Sequence, residues 1–279
     1  RCRRRSRRRR PGDPVSRRPG HRDRVGPAAL ALCVAFVLIP ILGTIAVSVS
    51  PDASRGPLVG GITADWYAMA WELLRPRVGP TLAVTAVVLV LALVVVLPLC
   101  HALARRLVPG GAVVRQITML PLAVPGVALG LALAASDPAL RSSGALLVVG
   151  QLLIALPFLV AGLVPSLASA ELVEAERVAA TLGAGPVRRL VTITLPAIRL
   201  PLAAALLMAA ALSIGEFNLS FFLVPPANQT APFALYSAFT TQRLELGAAG
   251  SLLFGVALVP AAVAAALLAR NALSRKEDA

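Results

Sequence analysis

The sequence predicts an all-α integral membrane protein with six transmembrane helices, and three observations carry that prediction. The chain is 57% hydrophobic with only 14% charged residues and a mean hydropathy of +0.80, far outside the range of soluble domains. Its apolar residues gather into six runs, each long enough to cross roughly 30 Å of hydrocarbon as a helix rising about 1.5 Å per residue. The runs are near-continuous Ala, Leu and Val, without the period of two that marks a membrane β-strand.

Residues 1–26 hold twelve arginines and read as a disordered basic arm attracted to anionic lipid headgroups. Nucleic acid is not expected as a partner, because no aromatic or groove-reading element accompanies the run. Residues 27–47 are the first span. A basic stretch before an apolar run resembles a secretory signal, but this run is too long for an h-region and five more follow, so it reads as uncleaved.

Residues 48–80 form a segment whose charges, Asp52, Arg55, Asp65, Glu72, Arg75 and Arg77, nearly balance. Trp66, Tyr67 and Trp71 within it read as an interfacial anchor. A core domain over 81–270 follows, with spans at Thr81 to Leu103, Ile117 to Ala135, Gly144 to Leu167, Leu200 to Leu223 and Gly247 to Leu268, and then a tail over 271–279. Arg105, Arg106 and Arg115, then Arg177, Arg188, Arg189 and Arg199, then Arg270, Arg275 and Lys276 all fall on one side of this topology. Positive charge in short loops stays cytoplasmic, so both termini and the loop over 168–199 are expected inside, and 48–80 outside, in the periplasm.

Several chemistries are excluded. Cys2, Cys33 and Cys100 are an odd, unpatterned set, and His21 and His101 are far apart with no carboxylate cluster beside them. No metal, cofactor or catalytic residue is therefore expected, and the chain does not read as an enzyme. A phosphate-binding loop needs Gly-Lys-Ser/Thr, yet the sole lysine is Lys276, between Arg275 and Glu277. This polypeptide cannot carry an ATP site of that kind.

The polar island ELVEAERVAATLGAGPVRRLVTITLP, Glu171 to Pro196, interrupts the apolar spans. Ala175, Val178, Ala179 and Leu182 recur at i, i+3, i+4 and i+7, which makes an apolar stripe on a short helix, while Glu171, Glu174 and Arg177 line another face. Gly183 sits where a helix end needs positive φ, and Pro186 suits the first turn of a second helix. Pro196 ends that helix. A helix, sharp turn, helix bracket results, shaped to touch a soluble partner.

Gly183, nine residues, then Ile193, Thr194, Leu195 and Pro196 resemble the EAA signature, EAA-x3-G-x9-I-x-L-P, of permease subunits of binding-protein-dependent ABC importers. The resemblance implies the type I ABC importer permease fold and a coupling helix that docks on a cytoplasmic ABC ATPase. Glu174, Ala175, Glu176, Arg177, Ala179, Leu182, Gly183, Ile193, Leu195 and Pro196 would make up that coupling loop. The sequence departs from the signature where Arg177 holds the glutamate position, with Val178 and Ala179 in the alanine places. The resemblance further implies a second permease subunit, an extracytoplasmic solute-binding protein, and a cell inner membrane location within the lipid bilayer.

Two intramembrane features are pathway candidates. ALSIGEFNLSFFL places Glu216 and Asn218 in the fifth span, where a carboxylate costs about 2.5–3.5 kcal/mol at the helix centre on insertion scales. LPLAVPGVALG places Pro121, Pro125 and Gly126 in the third, where the backbone is expected to bend against neighbours that satisfy its freed groups. A structural kink and a buried polar tie between helices explain both features too, and for any single residue that reading is slightly favoured over direct contact with solute. The run from Gly215 resembles permeases of the polyamine, phosphonate, ferric iron and thiamine branch, and one carboxylate suits an amine-bearing solute such as a polyamine or aminophosphonate. The alternatives are an iron-, thiamine- or sulfate-type ABC permease and a secondary transporter with no ATPase partner. The last should carry ionisable residues in several spans, and Glu216 is essentially alone.

Overall fold

The structure, a computed structural model, describes residues 22–224 and 228–277, and all regular structure among them is helical. The basic arm up to residue 21, residues 225–227 and the last two residues of the tail lie outside the described residues. The chain divides into two units, 1–44 and 45–279. In the first, the described residues are helical and belong to α1 (Arg22–Ser48), whose stretch Ala29–Ser48 is 20 residues with hydropathy 2.7. That length and polarity suit a membrane crossing.

In the second unit, α2 (Asp65–Leu91) runs through a π-helical turn, Ala92–Val96, into α3 (Leu97–Ala104). Together they make a rod of 40 residues whose apolar stretch of 18 has a mean hydropathy of 3.1. It starts at Asp65, well before the Thr81 expected from the apolar run. Asp65 in the first turn suits the helix dipole. Pro76 and Pro80 each remove a main-chain donor, which leaves the Glu72 and Pro76 carbonyls without an i+4 partner, and the Arg77 guanidinium and Thr81 hydroxyl donate to the neighbouring carbonyls of Leu73 and Arg77. The π turn precedes Pro98, whose missing N–H and ring forbid a regular α turn there.

The expected third span is two pieces. α4 (Gly111–Met119) continues as a 3-10 turn, Leu120–Ala123, and α5 (Gly126–Ala134) leaves at 98°. Pro125 drives Val124 to an extended ψ of 123°, as residues before proline prefer, so the bend read from this sequence is a full corner. After α6 (Pro138–Ser142) comes α7 (Ala145–Leu167), 23 residues of hydropathy 2.5. The bracket follows as α8 (Ala170–Thr181), α9 (Pro186–Arg189), a second π turn, Leu190–Thr194, and α10 (Leu195–Ala197). At Ile198 the chain turns by 79° into α11 (Arg199–Ile214).

The fifth span is also broken: α11 stops at Ile214, and α12 (Asn218–Leu223) begins after Gly215–Phe217. α13 (Ala231–Ser237) and a π turn, Ala238–Gln242, lead to α14 (Leu244–Glu277), whose apolar part is Leu244–Pro260. Among the described residues three helices are therefore long and apolar enough to cross a membrane, or five if each bent pair is one span.

The core joins the rod, α7 and α11. Val96 and Cys100 meet Leu159, Val160, Leu163 and Leu167, with Ala205 and Ala209 completing the cluster. Small residues permit this close approach where water supplies no hydrophobic drive between helices; a Cβ on Gly162 would lie 3.7 Å from Ala205 Cβ. One polar chain crosses all three helices: Thr85 Oγ1 lies 2.9 Å from Ser213 Oγ, which donates to Gln151 Oε1 at 2.6 Å. Each such interhelical bond contributes about 0.6 kcal/mol on average.

α14 meets the preceding segment through Gly247, where a Cβ would lie 3.0 Å from Phe239 Cα, main-chain atoms that cannot swing away, whereas a Cβ on Gly255 meets nothing within 4 Å. Gly247→Ala is expected to cost about 1–3 kcal/mol by overpacking and to lower the detergent melting temperature, while Gly255→Ala leaves it unchanged. Equal melting of the two variants would contradict this packing.

Candidate functional site

The bracket closes as its sequence predicts. Gly183 takes φ +84°, its N–H bonds the Ala180 carbonyl at 3.0 Å and Ala184 N–H bonds the Ala179 carbonyl at 2.9 Å, the paired bonds of a Schellman C-cap. Pro186 then opens α9 at its first position, where no donor is lost. The second arm reaches Pro196 only after the π turn at 190–194, a local widening that fits a proline.

The two faces of α8 are the reverse of a soluble amphipathic helix. Leu182 is 81% exposed, Val178 51% and Val187, across the turn, 71%. Ala175 is exposed and Ala179 half-buried. Glu174 and Arg177 pair with each other at 3.6 Å on the surface, a contact worth little. Ile193 and Leu195 are half-buried and Pro196 is exposed. Leu172 and Glu176 turn inward, Glu176 to 7% exposure.

Glu176 gathers three elements. Arg105, at the end of α3, donates Nε to Oε2 at 2.8 Å, and its Nη2 stands 2.8 Å from Oε1 as an ion-pair contact without a hydrogen bond. Thr194 Oγ1 donates to Oε1 at 2.5 Å, and His101 Nε2 stands 3.5 Å away. Arg105 also donates to the Leu167 carbonyl at the end of α7, and Arg189 Nη1 reaches the Glu176 carbonyl at 3.5 Å. Burial pushes the Glu176 carboxyl up, but hydrogen bonds from Arg105 and Thr194 and the Arg105 charge outweigh it and hold the group at about 2. The carboxylate is thus a permanent anion that locks both arms of the bracket to the rod.

The pathway candidates converge at a second place. α5, after its corner, lies on α12, after its break, through Gly126 and Gly130: a Cβ on Gly126 would sit 3.2 Å from Asn218 Nδ2, and one on Gly130 2.8 Å from Phe222 Cδ2. The Gly-x3-Gly spacing gives the smooth face that close helix approach requires. Pro125 forms the corner itself, with φ −56° and ψ 135°. Glu216, half-buried, accepts Leu219 N–H at 3.0 Å and so caps the free end of α12. Phe217 and Phe221 pack on Tyr236 with centroids 4.5 and 5.8 Å away.

Sequence reading missed the lock itself. Arg105 counts there only as a topology charge, and its partner lies 71 residues away. Gln151, a lone amide inside an apolar span, was the available signal for the Thr85–Ser213 chain.

Over 266 residues, 92% of this chain and 95% of theirs, the sequence is 28% identical to proteins of Salmonella typhimurium and Salmonella choleraesuis named "Putative 2-aminoethylphosphonate transport system permease protein PhnV". The Salmonella typhi protein of that name is equally similar over 96% of its length. No protein-family model matches the chain.

Because Glu176 titrates near 2 in the folded chain against an ordinary 4.5, its ionisation stabilises the bracket fully above pH 4.5, and that contribution fades as pH falls toward 2. Hydrogen exchange of amides 170–197, corrected for intrinsic rates, is expected to show equal protection at pH 7 and 5 and loss only in strongly acidic solution. A loss centred above pH 5 would contradict the lock.

Proposed function

We propose that this chain, homologous along almost its whole length to transport-system permeases, is the transmembrane permease subunit of an ATP-driven ABC importer. It lies in the cell inner membrane, crosses six times with both termini in the cytoplasm, and forms half of the translocation pathway beside a second permease subunit. The observation that carries this reading is the apolar stripe of the bracket, Val178, Leu182 and Val187, left exposed while the acid of the same helix is turned inward. Desolvated apolar packing anchors interfaces and rim charges add little, so the stripe suits the groove of a cytoplasmic ATPase, and Arg177 in place of the signature glutamate is tolerated.

Movement of the ATPase pair then displaces the bracket, and the Arg105–Glu176–Thr194 lock carries the displacement into the rod and into α11. At the far end of α11 lies the break at Gly215–Phe217, where α12 and α5 are short, separately hinged pieces. Discontinuous helices of this kind are where transporters place binding and gating. Solute arrives on an extracytoplasmic binding protein. We assign it as an aminophosphonate: the name carried by the relatives supports that class, and the Glu216 carboxylate suits an amine.

Leu182→Asp is expected to weaken association with the ATPase at least tenfold, since losing a buried apolar anchor costs about 2 kcal/mol or more; co-purification from native membranes measures it, and undiminished recovery of the ATPase would remove the docking assignment. Glu216→Gln keeps an acceptor for Leu219 N–H while deleting the charge, so assembly is expected to stay intact and uptake to fall. Normal uptake by that variant would make Glu216 a helix cap alone.

A further inference from the structure

Between the rod and the bracket lies a cleft of about 790 Å³. Its lining changes character along the rod. Leu93, Leu97 and Pro98 wall one end, inside the apolar span, and Arg105 and Arg106 wall the other, about 10–20 Å further along at 1.5 Å per residue. The bracket adds Val173, Val187 and Leu190 as apolar wall and Arg177 and Arg189 as cations.

The charges do not cancel. Glu176, the carboxylate in the lining, is committed to Arg105 at 2.8 Å. Arg177 is answered by Glu174 outside the cleft. Among the described residues no carboxylate pairs with Arg106 or Arg189; Arg189 Nε is buried without a hydrogen-bond partner, and its guanidinium has only the 3.5 Å contact to the Glu176 carbonyl. Two cations therefore face a cleft whose other end is hydrocarbon in character. A small soluble anion leaves that apolar wall unused, whereas an anionic amphiphile matches both ends.

We propose that this cleft binds an anionic phospholipid, its phosphate held by Arg106 and Arg189 and an acyl chain laid along Leu93, Leu97 and Leu190. The assignment rests on the reading of the bracket as lying at the cytoplasmic face, where anionic headgroups meet juxtamembrane arginines. The lipid sits beside the Glu176 lock, so it fills the space into which the bracket would otherwise collapse, and the stiffness of the coupling path depends on the anionic lipid content of the membrane.

Native mass spectrometry of the full chain in mild detergent, titrated with phosphatidylglycerol or phosphatidylcholine, tests this directly. The expected result is one retained phosphatidylglycerol and no retained phosphatidylcholine. Arg106→Ala and Arg189→Ala should each weaken retention roughly fivefold, as removing one arginine from a phosphate at the surface does. Arg115→Ala and Arg188→Ala, which remove positive charge outside the cleft lining, should leave it unchanged. Melting temperatures taken alongside identify any variant that fails to fold.

Equal loss in all four variants would reduce the effect to general surface charge and overturn the proposal. So would displacement of the lipid by inorganic phosphate at millimolar concentration, which would make the cleft a free-anion site, or its exclusion when a partner chain is bound. The readout uses neither ATPase nor solute. A chain that retains the lipid yet moves nothing sinks the transport reading alone; one that transports with lipid retention indifferent to Arg106 and Arg189 sinks this proposal alone.

Discussion

The buried ion pair between Arg105 and Glu176 is the constraint on which the rest of the arrangement depends. With both side chains about nine-tenths shielded from solvent, desolvation consumes much of their attraction, and such pairs add less net stability than their geometry suggests. What they supply is exclusivity. Removing either partner leaves an uncompensated buried charge, at about 3–5 kcal/mol, so the bracket has one low-energy seat on the rod. The Thr194 hydroxyl on the same carboxylate brings in the second arm, and the Arg105 bond to the Leu167 carbonyl brings in the end of α7. One ion pair thereby ties the end of α3, the end of α7 and both arms of the bracket together.

Seating the acid inward releases the apolar stripe outward. An isolated amphipathic connector would bury Val178 and Leu182 and expose Glu176, since that choice costs least in a chain without partners. The observed choice is the opposite: Leu182 is 81% exposed and Glu176 only 7%. At the other end of α11, two sharp breaks place α5 against α12 through Gly126 and Gly130. Breaks at Pro125 and at Gly215–Phe217 separate these short pieces from the longer helices before them.

Much of this was legible in the chain itself. The apolar runs announced membrane helices because length and hydropathy are local properties, and the turn at Gly183 and Pro186 was readable because each residue carries its own backbone preference. The corner at Pro125 was visible for the same reason, though not its 98° extent, which depends on α12 receiving α5. Three features were not legible. At the break in the fifth span the local signal is Gly215 alone, the C-cap of α11 and a weaker punctuation than proline; the Glu216 side chain accepts Leu219 N–H at the start of α12. The early start of the rod at Asp65 was hidden by Pro76 and Pro80, which the helix carries through despite the two main-chain donors they remove. The inward turn of Glu176 follows from Arg105, a partner too distant for any periodicity to reveal.

The coupling ratio tests the central claim most directly: solute taken up per ATP hydrolysed by the reconstituted assembly, compared between the native chain and Glu176→Gln, with Glu176→Gln/Arg105→Met as the variant in which no buried charge is left unpaired. If the lock transmits motion from the bracket to the spans, both variants keep the ATPase bound and hydrolysing while uptake per ATP falls, and the double variant restores stability without restoring coupling. An unchanged ratio in both variants would contradict the account and make the Arg105–Glu176 pair a fold-specifying contact with no part in transport.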